Sequence, residues 1–183
     1  MISFCTPYTD DRIYQIRMTY PENIKLCKEY GCEWIRLYWD KEWNYSKAWN
    51  AVHRMAHGEI QVTLGADSFI TREYVKDIIK KFNKNMNILV TQSNGGVIAV
   101  SGENFQKLGG YDETMSGWGF DDIDFIYRAQ TLGLTCFVST GNAFIPHSDH
   151  LRFPDGDRST CQYQNWGIMR YNHAHKIIDW RDK

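Results

Sequence analysis

Residues 109–128 read Gly-Gly-Tyr-Asp-Glu-Thr-Met-Ser-Gly-Trp-Gly-Phe-Asp-Asp-Ile-Asp-Phe-Ile-Tyr-Arg, and they concentrate side chains that do chemistry. Asp121, Asp122 and Asp124 open a segment in which Ile123, Ile126, Tyr127 and Ala129 recur at helical spacing. Carboxylates in the first turn of a helix are stabilised by its dipole and its free N–H groups. Ordinary dipole compensation therefore accounts for such acids as well as chemistry does. Two neighbours favour chemistry. Gly117 and Gly119 flank Trp118, so the backbone can approach a ligand closely and the indole can wall a pocket. Asp121 and Asp122 adjoin that wall, where one carboxylate can take a proton from a hydroxyl while the other orients it.

The elements that must position these residues alternate along the chain. Ile2 to Thr6 is a short apolar run closed by a turn, and reads as a buried strand. A helix follows Asp10 and Asp11; Pro21 is expected to break or restart it before Gly31 ends it. Strands are expected at Trp34 to Trp39, Ile60 to Leu64, Val97 to Ser101 and Thr135 to Val138. Helices are expected from Ser46 to Met55, from Thr71 to Phe82, over Asn104 to Leu108, and from Asp121 to Leu132. Asn83 to Asn87 reads as a polar loop, and a short helix is expected around Tyr163 to Tyr171. Strands alternating with helices predict an α/β fold built on a mixed sheet.

The bulk numbers narrow the function classes. A chain of 183 residues, 43% hydrophobic and 23% charged, is the size of one globular domain and too apolar to be disordered. Its formal net charge of −1 gives none of the basic excess that drives sequence-independent nucleic-acid binding. Cysteines at 5, 27, 32, 136 and 161 form no C-x-x-C pair and are odd in number, which argues against a disulfide framework and a structural zinc site. The absence of a basic n-region with an apolar h-region, or of an 18-residue apolar run, leads to the expectation of a single cytoplasmic domain over 1–183 without membrane insertion.

Leu108-Gly109-Gly110-Tyr111-Asp112-Glu113, then Gly117-Trp118-Gly119 and Asp121-Asp122-Ile123-Asp124-Phe125 up to Arg128, resembles the acceptor-side motif of galactosyltransferase-like GT-A glycosyltransferases. That group includes β-1,4-galactosyltransferases, chondroitin-polymerase-type enzymes and polypeptide N-acetylgalactosaminyltransferases. The resemblance implies a GT-A sheet flanked by helices. It also implies Asp122 as catalytic base, Asp121 as its acceptor-binding neighbour, and Trp118 with Gly117 and Gly119 against the acceptor sugar.

Weaker likenesses extend from residue 2 to about 150. They imply donor contacts at Thr6, Pro7, Arg12, Lys47, Asn50, Ala66 and Asp67, and one divalent ion, Mn²⁺ or Mg²⁺. Thr63-Leu64-Gly65-Ala66-Asp67 falls where the family carries an Asp-x-Asp, but Gly65 replaces its first acid. His147 in Pro146-His147-Ser148-Asp149-His150 falls where the family supplies a histidine to the metal, with Asp149 and His150 as weaker candidates. One Asp, one His and two phosphate oxygens suit Mn²⁺, which accepts both imidazole and carboxylate.

A second departure is the short span before Asp67, where the acid that contacts a uracil base is missing; Asp40 is a candidate substitute. The nucleotide-binding half is accordingly expected to be shortened. The expected reaction moves a hexose or N-acetylhexosamine from a nucleotide-sugar, UDP-linked by resemblance, to a carbohydrate or other hydroxyl acceptor with inversion. Two other readings remain: a catalytically weakened sugar- or nucleotide-binding protein, and a glycosyltransferase acting on nucleic acid.

Overall fold

The computed structural model describes residues 1–182 apart from 43, 93–95, 118 and 142–154, and the side chains of 155–161 are also outside the description. A six-stranded sheet runs through the protein in the order β2-β1-β3-β5-β4-β6. Its strands are β1 (Ile2–Tyr8), β2 (Glu33–Tyr38), β3 (Ile60–Thr63), β4 (Ile88–Thr91), β5 (Ile98–Ser101) and β6 (Thr135–Val138). β1 pairs in parallel with β2 and β3, and β4 in parallel with β6. β5 runs antiparallel to both β3 and β4, so the sheet is mixed. The helices are α1 (Ile13–Tyr30), α2 (Tyr45–His53), α3 (Arg72–Phe82), α4 (Gly102–Lys107), α5 (Asp121–Thr131) and α6 (Asp155–Ala174).

The period of two along each strand divides the core into two layers. Phe4, Ile60, Val62, Val90 and Ala99 pack on the α1 and α3 side with Ile16, Leu26, Val75 and Ile78. Cys5, Leu89, Ile98 and Val100 pack on the opposite side with Val52, Phe105, Tyr111 and Phe125 from α2, α4 and α5. Gln61 and Thr63 belong by alternation to that second face, and there they carry polar groups into the layer.

Local chemistry starts the helices where capping rules place them. Asn44 accepts from the Lys47 N–H at 2.9 Å, Thr71 from Tyr74 at 3.2 Å, and Ser101 from Asn104 at 3.2 Å. Gly31 closes α1 with φ +62°. Among the described residues no helix is long and apolar enough to cross a membrane.

Three expectations need correction. Pro21 does not break the first helix, which runs unbroken from Ile13 to Tyr30. Tertiary contacts hold it together: the Thr19 hydroxyl reaches the Ala66 carbonyl at 3.2 Å, and Asn23 bridges the Ser68 carbonyl and the Ile70 N–H at 3.0 and 2.8 Å. Against a proline penalty of ~3 kcal/mol, these bonds and the burial of Ile16, Leu26 and Cys27 prevail. The second correction adds a strand. Ile88–Thr91 is β4, an apolar run with both faces covered, whose lack of alternation hides it from a periodicity reading. The third is length: the last helix spans Asp155–Ala174, well beyond the expected turns around Tyr163 to Tyr171.

Candidate active site

A cavity of about 380 Å³ opens beyond Thr63 at the carboxyl end of β3. Asp121 and Asp122 line it from the first turn of α5, with Tyr45 and Trp49 from α2, Tyr111, Gly119, and Gln162 from α6. A crevice at the carboxyl ends of parallel strands is where open α/β sheets bind ligands.

The turn entering α5 is under conformational demand. Gly117 and Gly119 have φ +68° and +104°, and Phe120, the residue before the helix, sits at φ +68° with no side-chain cap. A left-handed Phe costs roughly 1–2 kcal/mol, so the surroundings must hold it. Asn165 of α6 does much of this. Its amide N–H₂ donates to the Ser116 and Gly119 carbonyls, both at 2.9 Å, and its carbonyl accepts from the Ser116 N–H at 3.1 Å. These bonds grip the chain on both sides of position 118. Asn165→Ala should strand the two carbonyls and lower stability by about 1–3 kcal/mol. Chemical denaturation checks this, and a loss below about 0.5 kcal/mol would show that the turn holds itself.

The acids then separate by environment. Asp122 accepts from the Ile123 N–H at 2.8 Å and from the Gly96 N–H at 3.2 Å, so the loop before β5 helps to orient it. Burial and then the charge of Asp122 push the Asp121 carboxyl up to about 7. Backbone N–H groups of Gly119 and Asp122 pull it down, but burial and like charge win. Asp124 has a different fate: it is 1% exposed, ion-paired with Arg128 at 2.7 Å and bonded to Asn172 at 2.8 Å. It shares the motif and not the cavity.

Beneath the cavity lies a polar chain that sequence reasoning missed. His53, stacked on Phe105, contacts Gln61 Oε1 through Nδ1 and Thr63 Oγ1 through Nε2, both at 3.0 Å. Thr63 Oγ1 then pairs with the Tyr111 hydroxyl at 2.7 Å. Burial pushes the His53 imidazole down to about 4, so it is neutral at physiological pH, and raises the Tyr111 phenol. Tyr45 and Trp49 sit four apart on α2, within a segment read for Lys47 and Asn50 instead. Nothing in the sequence marks Thr63 or Gln162, which only strand alternation and the docking of α6 bring here.

The expected donor-side residues are spread along β1, α2 and the segment after β3. Thr6 is buried, donating to the Leu64 carbonyl at 2.8 Å and accepting from Trp34 Nε1 at 2.9 Å. Pro7 is buried opposite Leu37. Arg12 is ion-paired with Asp11 at 3.4 Å, and Lys47 is exposed on α2. Asn50 grips the acceptor-side turn, bonding the Tyr111 carbonyl at 2.8 Å, the Tyr111 N–H at 2.7 Å and Glu113 at 3.0 Å. The hydrogen bonds of Thr6 and Asn50 thus go to the protein itself. Gly110, at φ +73°, leaves room for that amide, because a Cβ there would collide with Asn50 Oδ1.

Asp67 is half-buried, and the Ala66 carbonyl beside it accepts from Thr19. A Cβ on Gly65 would lie 2.8 Å from Asp67 Oδ1 and 3.1 Å from Ser68 Oγ. The space of the absent first acid is therefore partly taken by the second. Ser68 Oγ is buried without a hydrogen-bond partner among the described residues. One carboxylate and one spare hydroxyl are hard oxygen donors that fit a divalent ion completing its shell with phosphate oxygens. Among the described residues no group of three or more His, Cys, Asp or Glu gathers as a metal site. Trp118, His147, Asp149 and His150 lie outside the described residues.

Comparison with known proteins agrees with this geometry. The family described as N-terminal domain of galactosyltransferase matches residues 78–152, from within α3 past the acid pair. No curated protein matches the sequence. The catalytic domain of Drosophila β1,4-galactosyltransferase 7, solved with xylobiose, is similar at TM-score 0.70 and 15% identity, over 92% of this chain and 79% of that one. GalNAc-T7, solved with UDP, GalNAc and Mn²⁺, is similar at TM-score 0.72 and 11% identity, over 93% and 48%. The mannosyltransferase PcManGT of Pyrobaculum calidifontis, solved with GDP-Man and Mn²⁺, gives 0.59 and 16%, over 96% and 62%. With the mixed sheet, the matched family segment and the paired carboxylates in one cavity, the chain has the fold of GT-A glycosyltransferases, and its residues 78–152, around the acid pair, are similar to the N-terminal domain of galactosyltransferase.

Proposed function

We propose that this protein transfers a hexose or N-acetylhexosamine from a UDP-sugar to a hydroxyl of a carbohydrate acceptor, with inversion. The observation that carries the proposal is the acid pair, one carboxyl raised to about 7 beside a second that the Gly96 and Ile123 N–H groups orient, both lining one cavity. Asp122 takes the acceptor hydroxyl proton as that oxygen bonds to the anomeric carbon, and the bond to the diphosphate oxygen breaks on the opposite face. Asp121 orients the hydroxyl. Tyr45, Trp49 and Tyr111 give the cavity an aromatic wall suited to the C–H faces of a sugar.

On the donor side we assign contacts to Arg12, Lys47 and Asp67, with the backbone at Thr6, Pro7 and Ala66. Asp67 and His147 would hold one Mn²⁺ or Mg²⁺. Charge developing on the departing diphosphate is what such an ion offsets when bound. The Mn²⁺ in the GalNAc-T7 and PcManGT complexes supports this choice of metal. UDP in one and GDP-Man in the other keep both bases in the test. We place the reaction in a reducing, cytoplasmic setting because Cys5, Cys27, Cys32 and Cys136 are all free thiols.

The test is release of nucleoside diphosphate from UDP- and GDP-sugars, with Mn²⁺ or EDTA, by the wild type and Asp67→Ala. We expect metal-dependent hydrolysis of one donor, reduced about 100-fold or more by the substitution. The crowding of Gly65 against Asp67 favours one rival, a weakened binding protein. Nucleotide binding that ignores EDTA, with no donor turned over, would establish that rival in place of the transferase.

A further inference from the structure

His53, Gln61, Thr63 and Tyr111 are all buried, and Thr63 and Tyr111 form part of the wall of the acid-lined cavity. His53 and Gln61 stand behind them, and the transfer reaction does not use them. Buried polar groups that are paired add little net stability over apolar groups of the same shape. What such a chain adds is direction.

The direction follows from the protons available. Gln61 Oε1 can only accept, so His53 Nδ1, at 3.0 Å, carries the imidazole proton and donates. Nε2 is then a bare lone pair, and the Thr63 hydroxyl, at 3.0 Å, gives it its single proton. Thr63 Oγ1 is left to accept, and the Tyr111 hydroxyl donates to it at 2.7 Å. Phe105, stacked on the imidazole with centroids 4.2 Å apart at 15°, keeps the ring from turning. Burial keeps the imidazole neutral; a charged ring would donate through both nitrogens and release the Thr63 proton toward the cavity.

Both hydroxyl protons therefore point away from the ligand, and these two residues show it lone pairs alone. We infer that His53 is a positioning residue that fixes this sense, so that the cavity floor holds a sugar by one of the sugar's own donors, a hydroxyl or an amide N–H. A carboxylate or phosphate has no proton to give there, and Asp122 alongside repels it. The inference rests on the transferase reading, and its experiment separates the two.

The first measurement is independent of turnover. In protein labelled with ¹⁵N-histidine, long-range ¹H–¹⁵N correlation at neutral pH, assigned with His53→Gln, should show His53 protonated at Nδ1 and bare at Nε2. The opposite tautomer overturns the inference whatever the enzyme does. The second measurement starts from the donor that the wild type hydrolyses. Monodeoxy and monodeoxyfluoro forms of its sugar are read as hydrolysis, and those of free glucose and N-acetylglucosamine as transfer, which tells the transferred sugar from the acceptor. At one ring position the wild type should lose about tenfold or more in kcat/KM with both analogues, since fluorine cannot donate. Thr63→Val should erase most of that discrimination and Thr63→Ser should keep it. Inductive effects of fluorine fall on wild type and variant alike and cancel in the comparison. Loss at no position, a fluoro analogue as good as its parent, or undiminished discrimination in Thr63→Val overturns the inference and leaves the transferase standing. Absence of donor hydrolysis removes both.

Discussion

Asp122→Asn is expected to lower the transfer rate by a factor of about 10²–10⁴, the usual contribution of a positioned general base. Nucleotide binding should persist, since among the described residues Asp122 accepts from the backbone N–H groups of Gly96 and Ile123. The neutral amide keeps the shape of the site and loses the proton acceptor. Asp121→Asn should act differently, because its carboxyl is raised from 3.8 to about 7 by burial and by Asp122. As pH falls through about 7 the wild-type Asp121 gains a proton, and the pair loses the negative charge that favours proton transfer to Asp122. Activity should therefore rise with pH through that value, and Asp121→Asn should flatten the rise.

Stability follows the opposite sign. Between 3.8 and about 7 the folded state binds a proton that the unfolded chain has released, so stability falls as pH rises across that window. Below it the group is protonated in both states and imposes no cost. Asp121→Asn should thus be more stable than the wild type at pH 8, by about 1–2 kcal/mol after allowing for partial exposure, and the gain should vanish toward pH 4. Thermal unfolding at both pH values decides it. A variant no more stable at pH 8 would show that the carboxyl is not destabilised by its site.

Arg128→Met should be the most damaging single change to the fold, costing about 3–5 kcal/mol. The guanidinium is 1% exposed. It pairs with Asp124 at 2.7 Å and donates to the carbonyls of Leu108 at 2.6 Å, Gly110 at 2.9 Å and Ile178 at 3.3 Å. Removing it leaves a buried carboxylate held by Asn172 and strips three carbonyls. Those carbonyls belong to the turn before α5 and to the C-terminal segment, so Arg128 also fixes where the acid pair stands. At ~2–4 °C per kcal/mol for a chain of this size, the midpoint should drop by about 6–20 °C. A drop of 2 °C or less would mean that water replaces the guanidinium at little cost. Adding Asp124→Leu should recover part of the loss, because the stranded charge is then gone.

Much of this protein was legible in one dimension. The spacing of Asp121, Asp122 and Ile123 to Ala129 gave a helix beginning at the acids, and α5 begins there. The helices expected from Ser46, Thr71 and Asn104 begin within two residues of those positions, because the caps that start them, Asn44, Thr71 and Ser101, act between residues three apart. The alternating elements gave the mixed α/β class. Two local readings misled for one reason: the decisive partners lay far along the chain. Pro21 stays helical because Thr19 and Asn23 reach residues 66–70, and Ile88–Thr91 is a strand because β5 and β6 flank it.

Tertiary structure alone divided the labour within the acidic motif. Asp124 looks like Asp122 in sequence, yet four residues on Arg128 claims it, and Asn172 closes round it from α6. Asp121 acquires its raised carboxyl only when burial and the charge of Asp122 act together, and burial is a property of the packed fold. The chain Gln61–His53–Thr63–Tyr111 and the cavity wall from Gln162 likewise join residues separated by up to a hundred positions or more. The sequence settles residue types and short-range geometry, because backbone dihedrals and caps act over a few residues. Which side chains meet, and which carboxylate is left to do chemistry, depends on sheet alternation and helix docking, which only the folded chain supplies.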